Sequence, residues 1–448
     1  MVTKAATSQI DIGRLLDEGS WGRQQKFFVL LTALTIVLDG IDNQLLGVAV
    51  PAMMRDWTLT RGAFAPVVAS GMVGMMVGGA IAGLVGDRLG RRAAMIGSVI
   101  LFGVMTLAAA TANGVLTLGV LRFIAGLGLG GAVPNAAALA SEYVPRRHRP
   151  FAVTLTIVCV PLGATVAALL GGSILPALGW QALFVIGGLL PLGLAALLWL
   201  ALPESPRYLA RKPERWPELA GILRRIGHAV PPGTSFVDET ERHVASASTR
   251  ELFVPELRRD TLALWSSFFF SLLAVYIAFN WVPSMITGAG LDISVATDGL
   301  AAFNLGGVAG AILGGLCIAR IGSRPTMLTM AVGAMLGTVA LALTPLHAGV
   351  PHARIITLLG LTGAFINGVQ TTMYALAAHV YPTSIRATGV GTAVAVGRGG
   401  GVISSYVGAW AIEAGGSAAF FSAIGGAMFL AFCSLAAVKK HVPGSVAR

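Results

Sequence analysis

The sequence predicts an all-α polytopic membrane protein with twelve transmembrane helices in two pseudo-symmetric six-helix halves. Its 448 residues are 55% hydrophobic and 11% charged, with a mean hydropathy of +0.78, whereas soluble domains carry about 25% charged residues. Apolar runs long enough to cross a bilayer recur along the chain, and inside lipid only helices satisfy the backbone groups of such runs. One long polar stretch divides these runs into two sets of six.

The first element is a polar N-terminal segment, residues 1–25, which we expect to be cytoplasmic. It carries charges from Asp11 to Arg23 and lacks the apolar centre of a cleavable signal peptide, so the first membrane helix should remain as the anchor. The three cysteines of the chain all lie in apolar runs, which favours neither a disulfide nor a metal site. We therefore expect no metal and no cofactor.

Two six-helix bundles follow, at residues 26–202 and 261–438, with a cytoplasmic loop at 203–260 and a cytoplasmic tail at 439–448. Breaks rich in charge, Gly or Pro separate the spans. The expected spans are 26–50, 62–85, 93–112, 115–141, 151–172 and 180–202, then 261–287, 297–319, 325–345, 354–378, 386–410 and 417–438. Within the loop, Trp216 to Ile226 has the pattern of an amphipathic helix, expected to lie along the inner membrane surface.

The basic residues predict the orientation of the chain. Of 31 Lys and Arg residues, Arg55, Arg61 and Arg354 fall in loops on one side, Arg122 and Arg398 fall within spans, and the others fall on the side of the termini. By the positive-inside rule the termini and the long loop are cytoplasmic, in a bacterial inner membrane. The net charge of +11 thus indicates orientation and no nucleic-acid partner.

The two halves share an internal repeat. A constant offset pairs Gly74, Gly78, Gly83, Leu84, Arg88, Gly90 and Arg92 with Gly306, Gly310, Gly315, Leu316, Arg320, Gly322 and Arg324. In the same alignment Asp87 corresponds to Ala319, so its charge has no counterpart in the second half. A second offset pairs Pro145 with Pro382 and Arg149 with Arg386. Parallel six-span repeats are typical of transporters whose halves rock about a site at the membrane midplane.

Two carboxylates interrupt the first apolar run, in the stretch Leu38-Asp39-Gly40-Ile41-Asp42. An ionised side chain at the bilayer centre costs at least about 2.5–3.5 kcal/mol, so a tolerated one indicates function. Their spacing of three residues places Asp39 and Asp42 on one side of a helix. Gly40 between them is expected to leave space for a substrate or a neighbouring helix.

Residues 83–92, Gly-Leu-Val-Gly-Asp-Arg-Leu-Gly-Arg-Arg, closely resemble the loop motif between spans two and three of the major facilitator superfamily. In that family an acidic residue and adjacent arginines at helix ends form a latch that holds one conformation. The resemblance implies a latch made of Asp87, Arg88, Arg92, Glu142 and Arg386. Glu142 is expected to pair with Arg88 or Arg92, and the second latch, at Ala319, to be weaker.

The fourth span, from Arg122 through Gly126 to Gly130, resembles the signature of the same superfamily, which carries an arginine near the transport path. Arg122 would lie about 10 Å into the membrane at 1.5 Å per residue. Because Asp42 would lie at a comparable depth, we expect that the two side chains can make contact.

Four further features narrow the resemblance to the aromatic acid:proton symporters, the 4-hydroxybenzoate and benzoate transporters among them. They are the stretch Asp39–Asp42, Pro203-Glu-Ser-Pro-Arg207, Asn280-Trp281-Val-Pro283 and Arg386 through Arg398. The family typically has an aromatic residue where this chain has Ile41. The patterns of drug:proton antiporters and of sugar porters are incomplete or missing.

The resemblance implies a binding site for an aromatic carboxylate, which requires a cation and a flat apolar surface. Arg398, about 18 Å into the eleventh span and flanked by glycines that leave room, is expected to bind the carboxylate. The alternative is a structural arginine neutralised by Asp39 or Asp42. The other implied substrate contacts are Arg122, Asn280, Trp281, Phe303, Gln370 and Tyr374, with Trp281 favoured because Pro283 should interrupt the seventh helix.

The proton is expected to be carried by Asp39, Asp42 or both. Desolvation favours the neutral form of a carboxyl group and a neighbouring arginine favours the charged form, which couples occupancy to protonation. The sequence thus predicts a monomeric proton symporter for a small aromatic acid, with lipid as its surroundings and no enzymatic activity. The alternatives left open are uptake of a non-aromatic carboxylate or other small metabolite, and a non-transporting sensor, for which the loop is short.

Overall fold

The computed structural model describes residues 9–231, 233–238, 249–347, 349–382 and 385–445. The first part contains β1 (Gln9–Asp11), α1 (Ile12–Glu18), α2 (Arg23–Asp56), α3 (Arg61–Leu89), α4 (Arg91–Ala109), α5 (Val115–Tyr143) and α6 (Arg149–Ala201). The middle contains α7 (Pro206–Ala210), α8 (Trp216–Arg225) and β2 (Ser235–Val237). The last part contains α9 (Pro255–Gly288), α10 (Ile293–Ile321), α11 (Ser323–Ala342), α12 (His352–Val380) and α13 (Arg386–Ala437).

Ten helices of this described part are long and apolar enough to cross a membrane. Two of them, α6 with 53 residues and α13 with 52, each contain two of the predicted spans. A continuous helix of that length would measure about 80 Å, against about 30 Å of hydrocarbon. Both are broken near the middle, α6 at Gly179 (φ 76°) and α13 at Gly415 and Gly416 (φ 59°). The twelve predicted transmembrane segments are therefore present, with boundaries shifted by several residues.

The internal repeat has a structural counterpart. Gly90 between α3 and α4 and Gly322 between α10 and α11 have φ values of 104° and 90°, a conformation that disfavours residues with a Cβ. Within the helices that precede these turns, Gly78 of α3 packs against the backbone of α5, and Gly310 of α10 packs against the backbone of α12. Equivalent glycines thus make equivalent turns and helix contacts, which confirms the pseudo-symmetry of the halves.

Most helix contacts lie within the two halves. Helices α2 to α6 pack mainly on one another, and so do α9 to α13. The halves meet along three pairs, α3 with α13, α6 with α10 and α2 with α9. Side chains of these six helices that face the opposite half therefore lie at the interface between the two halves, which is where the sequence predicts the substrate site.

The N-terminal segment and the long loop fold together next to the first half. Strands β1 and β2 pair in parallel, and the rings of Trp216 and Phe236 pack edge to face at 5.7 Å. The amphipathic helix expected on the membrane surface, α8, instead buries Leu219 and Leu223 completely against the protein. This expectation was wrong because the chain itself supplies an apolar partner for that face.

The close approach of α2 and α6 is open to test at Gly163. A Cβ there would clash with the carbonyl oxygen of Val37 and lie 2.9 Å from the amide nitrogen of Ile41. We expect Gly163→Leu to destabilise the protein by about 1–3 kcal/mol through overpacking and to lower transport, because α2 carries both aspartates. The melting temperature of the purified protein checks this. Gly193→Leu is the matched control, since nothing lies within 4 Å of a Cβ at Gly193; equal losses in both would contradict the argument.

Candidate functional site

Asp42 forms a buried ion pair that joins three helices of the first half. Arg122 Nη2 on α5 lies 3.2 Å from Asp42 Oδ2 and 3.3 Å from the Asp42 carbonyl oxygen. The Thr106 hydroxyl on α4 donates to Asp42 Oδ1, which also accepts a longer bond of 3.5 Å from Arg122 Nη1. The predicted contact between Asp42 and Arg122 is therefore present. It holds α2, α4 and α5 together and neutralises both charges.

Asp39 has different surroundings, although it lies only one turn away. It is buried, and its Oδ1 has no hydrogen-bond partner in the described part of the chain. Its attractive electrostatic neighbour is Arg398 on α13, in the other half, and its repulsive neighbour is Asp42. Arg398 itself donates from Nη1 to the Met75 carbonyl oxygen on α3, at 2.5 Å. The Oδ1 atom of Asp39 thus lacks a hydrogen-bond partner among the described residues, within electrostatic range of an arginine that already contacts the other half.

Two residues near this charge pair were missed in the sequence. Tyr276 on α9 lies close to the Asn43 side chain on α2 and in the electrostatic range of both Asp39 and Arg398. The Tyr276 ring also lies against Gly401, 3.0 Å from where a Cβ would be. Their positions in the sequence could have identified them, because Asn43 directly follows Asp42 and Tyr276 is one helical turn before Asn280.

A small cavity lies beside the ion pair, between α2, α3, α5 and α9. Its polar lining comes from Asn43, Arg122 and Asn280, and its apolar lining includes Met72 and Met75. Among the residues that the structure describes, the buried Asn280 Nδ2 atom has no hydrogen-bond partner, and neither has Arg122 Nε. These donors from both halves are available to a polar ligand group.

The predicted ring contacts divide into two sets. Tyr374 lies near Arg398 and Tyr276, one turn after Gln370, and packs edge to face on Phe268 at 5.3 Å. Trp281 instead packs fully buried against Gly408 of α13, with Nε1 unpaired. Phe303, also buried, packs edge to face on Phe279 at 6.0 Å. The structure thus brings Tyr374 to the charged groups, whereas Trp281 and Phe303 belong to the packing of the second half.

Two expectations about the local backbone are corrected. Pro283 does not interrupt the seventh helix, because α9 runs unbroken from Pro255 to Gly288 with Pro283 inside it. The glycines beside Arg398 do not leave open room, since Gly397 and Gly400 pack on the backbone of α9 at Phe268 and Phe269. Gly40 similarly serves a helix contact, with Val160 of α6. Small residues here allow helices to approach closely.

The charge cluster that was predicted for the cytoplasmic side has other partners than expected. Arg91 pairs with Asp87 at 2.6 Å and lies 3.9 Å from Glu142, and Glu142 accepts a hydrogen bond from the Ser205 hydroxyl. The expected pairing of Glu142 with Arg88 or Arg92 was wrong. All these partners lie in the first half or in the loop that follows it, so the cluster makes no contact with the second half in the described residues of this conformation.

The remaining latch candidates lie apart from that pair. The Arg92 guanidinium donates to the carbonyl oxygens of Leu202 and Trp199. The backbone N–H of Arg92 donates to the Glu204 carboxylate at 2.9 Å. Arg88 contributes its carbonyl oxygen, which accepts from the Tyr208 hydroxyl at 3.0 Å. Arg386 is exposed in the first turn of α13. Pro203–Arg207, a weak motif in the sequence, thus anchors much of this cluster.

Ion pairs connect this region to the N-terminal segment. Asp17 on α1 pairs with Arg149 at 2.5 Å and with Arg207 at 3.1 Å, and Arg207 also reaches Asp238 at 3.4 Å. The spacing of these residues along the chain gave no sign of the network, because its members come from three separate segments.

Comparison with known proteins adds independent information. The family model described as Major Facilitator Superfamily matches residues 32–351. The chain is 34% identical to the gallate transporter of Pseudomonas putida, covering 93% of this chain and 92% of that protein. It is 34% identical to the 4-hydroxybenzoate transporter PcaK of Pseudomonas aeruginosa, covering 90% of each. Among solved structures, the inward open conformation of the xylose transporter of E. coli is similar in fold, with a TM-score of 0.72 at 18% identity over 93% of this chain and 97% of the other.

Proposed function

The chain belongs to the Major Facilitator Superfamily, and from this we propose that it imports an aromatic carboxylate of the hydroxybenzoate or benzoate type, coupled to protons, by alternating access. Membership makes it an integral membrane transporter and not an enzyme. The observation that carries the proposal is that Asp39, whose Oδ1 has no hydrogen-bond partner in the described residues, lies within electrostatic range of Arg398 in the other half. The names of the two bacterial relatives support an aromatic acid as substrate.

Arg398 is the proposed partner of the substrate carboxylate. It is the arginine whose charge is not consumed by a buried ion pair, because its Nη1 bonds a neutral carbonyl oxygen whereas Arg122 is paired with Asp42. Tyr276 and Tyr374 lie close to it and offer ring surface and hydroxyl groups. Asn280 and Gln370 supply further polar groups for the substrate ring. Arg122 then acts by fixing Asp42 and by lining the cavity, which narrows its predicted role as a substrate contact.

Asp39 is the proposed proton carrier. A carboxyl group buried away from water favours its neutral form, and an approaching cation favours the charged form. When the substrate anion occupies Arg398, Asp39 loses its attractive neighbour and retains a proton more readily. When substrate leaves, Arg398 is free to attract the carboxylate, which favours proton release. This exchange couples the two fluxes with a single arginine; Asp42 remains paired throughout.

The proposed cycle requires the two halves to separate first on one side and then on the other. In this conformation the contacts between them cluster toward the outer ends of their helices. Gln44 donates to the Phe279 carbonyl oxygen at 2.7 Å, Arg61 donates to the Ser284 carbonyl oxygen at 3.3 Å, and the Gly62 amide donates to Glu413 at 3.0 Å. We take this as the outer closure. The cytoplasmic cluster of Asp87, Arg88, Arg92, Glu142 and Arg386 would close the opposite side in the other conformation.

The outer closure is testable at Glu413. We expect Glu413→Gln to open the outer side more often, because a neutral amide caps the positive end of α3 more weakly than a carboxylate. In a variant lacking the native cysteines, Met72→Cys in the cavity should react a few times faster with an impermeant maleimide added outside. Arg354→Gln, an exposed charge on the outer side, is the control. An unchanged labelling rate in Glu413→Gln would contradict this role.

The proposed function is tested by competition uptake in energised vesicles. Radiolabelled 4-hydroxybenzoate should accumulate, benzoate and gallate should compete, and a dicarboxylate such as succinate should not. An uncoupler should abolish accumulation but leave exchange of internal for external substrate. Competition by the dicarboxylate alone would favour a non-aromatic carboxylate as the substrate. Accumulation that survives the uncoupler would contradict proton coupling.

A further inference from the structure

A second cavity lies far from the substrate site, at the cytoplasmic end of α6. It has a volume of about 360 Å³ and lies between the last turn of α6, the segment that follows it and α8. Its lining residues include Arg92, Trp199, Leu200, Gly221, Ile222 and Arg225. We call it the α6–α8 groove. Of these lining residues, only Arg92 also belongs to the cytoplasmic charge cluster.

One wall of the groove continues onto the membrane-facing surface. Trp199 and Leu200 are 65% and 83% exposed at the end of a membrane helix, and the exposed residues Leu189, Leu190 and Leu197 lie farther along the same helix. A tryptophan at this position is typical of the interface between hydrocarbon and head groups. An occupant of the groove therefore touches acyl chains on one side and water on the other.

The other wall is positively charged. The Arg92 guanidinium lies over the Trp199 ring at 5.2 Å and bonds only neutral carbonyl oxygens, which leave its charge uncompensated. Arg225 is exposed on α8 and forms no ion pair in the part of the chain that the structure describes.

The lining also holds two acidic groups. Glu218 pairs with Arg215 at 2.7 Å, which balances its charge, whereas Glu204 accepts only the amide hydrogens of Arg92 and Ser205, at 2.9 Å each, and keeps its charge. Arg92 and Arg225 against Glu204 leave the lining with one net positive charge, beside an apolar helix surface at the expected level of the head groups.

We infer that the α6–α8 groove binds an anionic phospholipid of the inner leaflet, with its phosphate between Arg92 and Arg225 and its acyl chains along the exposed leucines of α6. Basic pockets beside membrane helices on the cytoplasmic side suit such head groups. A soluble phosphate would have the same head-group chemistry, but it would leave the apolar wall uncovered. The inference does not depend on which substrate is transported.

The test measures lipid retained by the purified protein. Native mass spectrometry after exchange into detergent with phosphatidylglycerol or phosphatidylcholine should show one phosphatidylglycerol bound in preference. Arg225→Gln should reduce its retention about fivefold, the usual effect of one arginine near an anionic surface. Gly221→Trp, where a Cβ has open space, should fill the groove and abolish retention.

Two matched variants serve as controls. Arg224→Gln changes a neighbouring arginine that bonds Val230 and does not line the groove, and Gly426→Trp adds the same bulk to an open site on α13, in the other half. Both should retain phosphatidylglycerol, and all four variants should keep the melting temperature measured without lipid. If Gly221→Trp does not fold, the difference in phosphatidylglycerol retention between Arg225→Gln and Arg224→Gln still tests the inference.

Three results would overturn the inference. They are equal retention of both lipids by the unsubstituted protein, equal losses in Arg224→Gln and Arg225→Gln, and stabilisation by millimolar inorganic phosphate that matches that of phosphatidylglycerol. The last result would indicate a soluble anion in place of a lipid.

Discussion

Asp42→Ala is expected to destabilise the protein by about 3–5 kcal/mol, because it leaves Arg122 as an uncompensated charge in a buried site. Arg122 is 4% exposed and Asp42 is fully buried, so water cannot replace the lost partner. The Thr106 hydroxyl loses its acceptor as well. A large drop in melting temperature and in the yield of monodisperse protein would show this effect, together with loss of uptake.

The double variant Asp42→Ala/Arg122→Leu separates pairing from a specific role of either residue. Removing both charges should restore most of the melting temperature, since replacing a buried pair by apolar groups is often neutral for stability. Thr106→Val is the milder control, because it leaves the ion pair intact. A double variant no more stable than Asp42→Ala would contradict the pairing argument. A charge swap of Asp42 and Arg122 that transports no better than the single variants would count against it too.

Asp39→Asn is expected to abolish proton-driven accumulation while the protein still folds and exchanges substrate. Asparagine has the shape of aspartate but cannot take up and release a proton at this site. Because a neutral amide no longer competes for Arg398, the substrate carboxylate should still bind. Vesicles with an imposed pH gradient should then show no accumulation, whereas counterflow of preloaded substrate should persist.

The matched control for this prediction is Asp56→Asn. Asp56 is the last residue of the same helix, where it accepts a hydrogen bond from Trp180 Nε1 at 2.7 Å. It should leave accumulation close to that of the unsubstituted protein. Full accumulation in Asp39→Asn would remove Asp39 from the proton path. Loss of counterflow as well would indicate that Asp39 instead positions Arg398.

The two arginines at positions 91 and 92, in the charge cluster predicted for the cytoplasmic side, have different partners. Arg91, and not Arg92, links Asp87 to Glu142, while Arg92 lies at the α6–α8 groove. Both arginines are adjacent in one motif, but consecutive helical residues point about 100° apart. A charge network at one and a lipid at the other would allow the same short motif to respond to the conformation of the protein and to its membrane.

The all-helical membrane fold, the number of spans, the repeat and the family could all be predicted from the sequence. Those follow from periodicity, composition and motifs, since lipid leaves a chain few ways to satisfy its backbone. It also singled out Asp39, Asp42, Arg122 and Arg398, because charge in lipid is costly and stands out.

Only the tertiary structure decided which of these groups face one another. Asp39 and Asp42 are three residues apart, about 60° around the helix, and that rotation is enough to turn one toward Arg398 and the other toward Arg122. Asn280 and Trp281 likewise point in different directions from one helix: Asn280 lines the cavity, whereas Trp281 packs against Gly408. Spacing along a helix restricts a side chain to a sector, and the helix packed against that sector determines its partner.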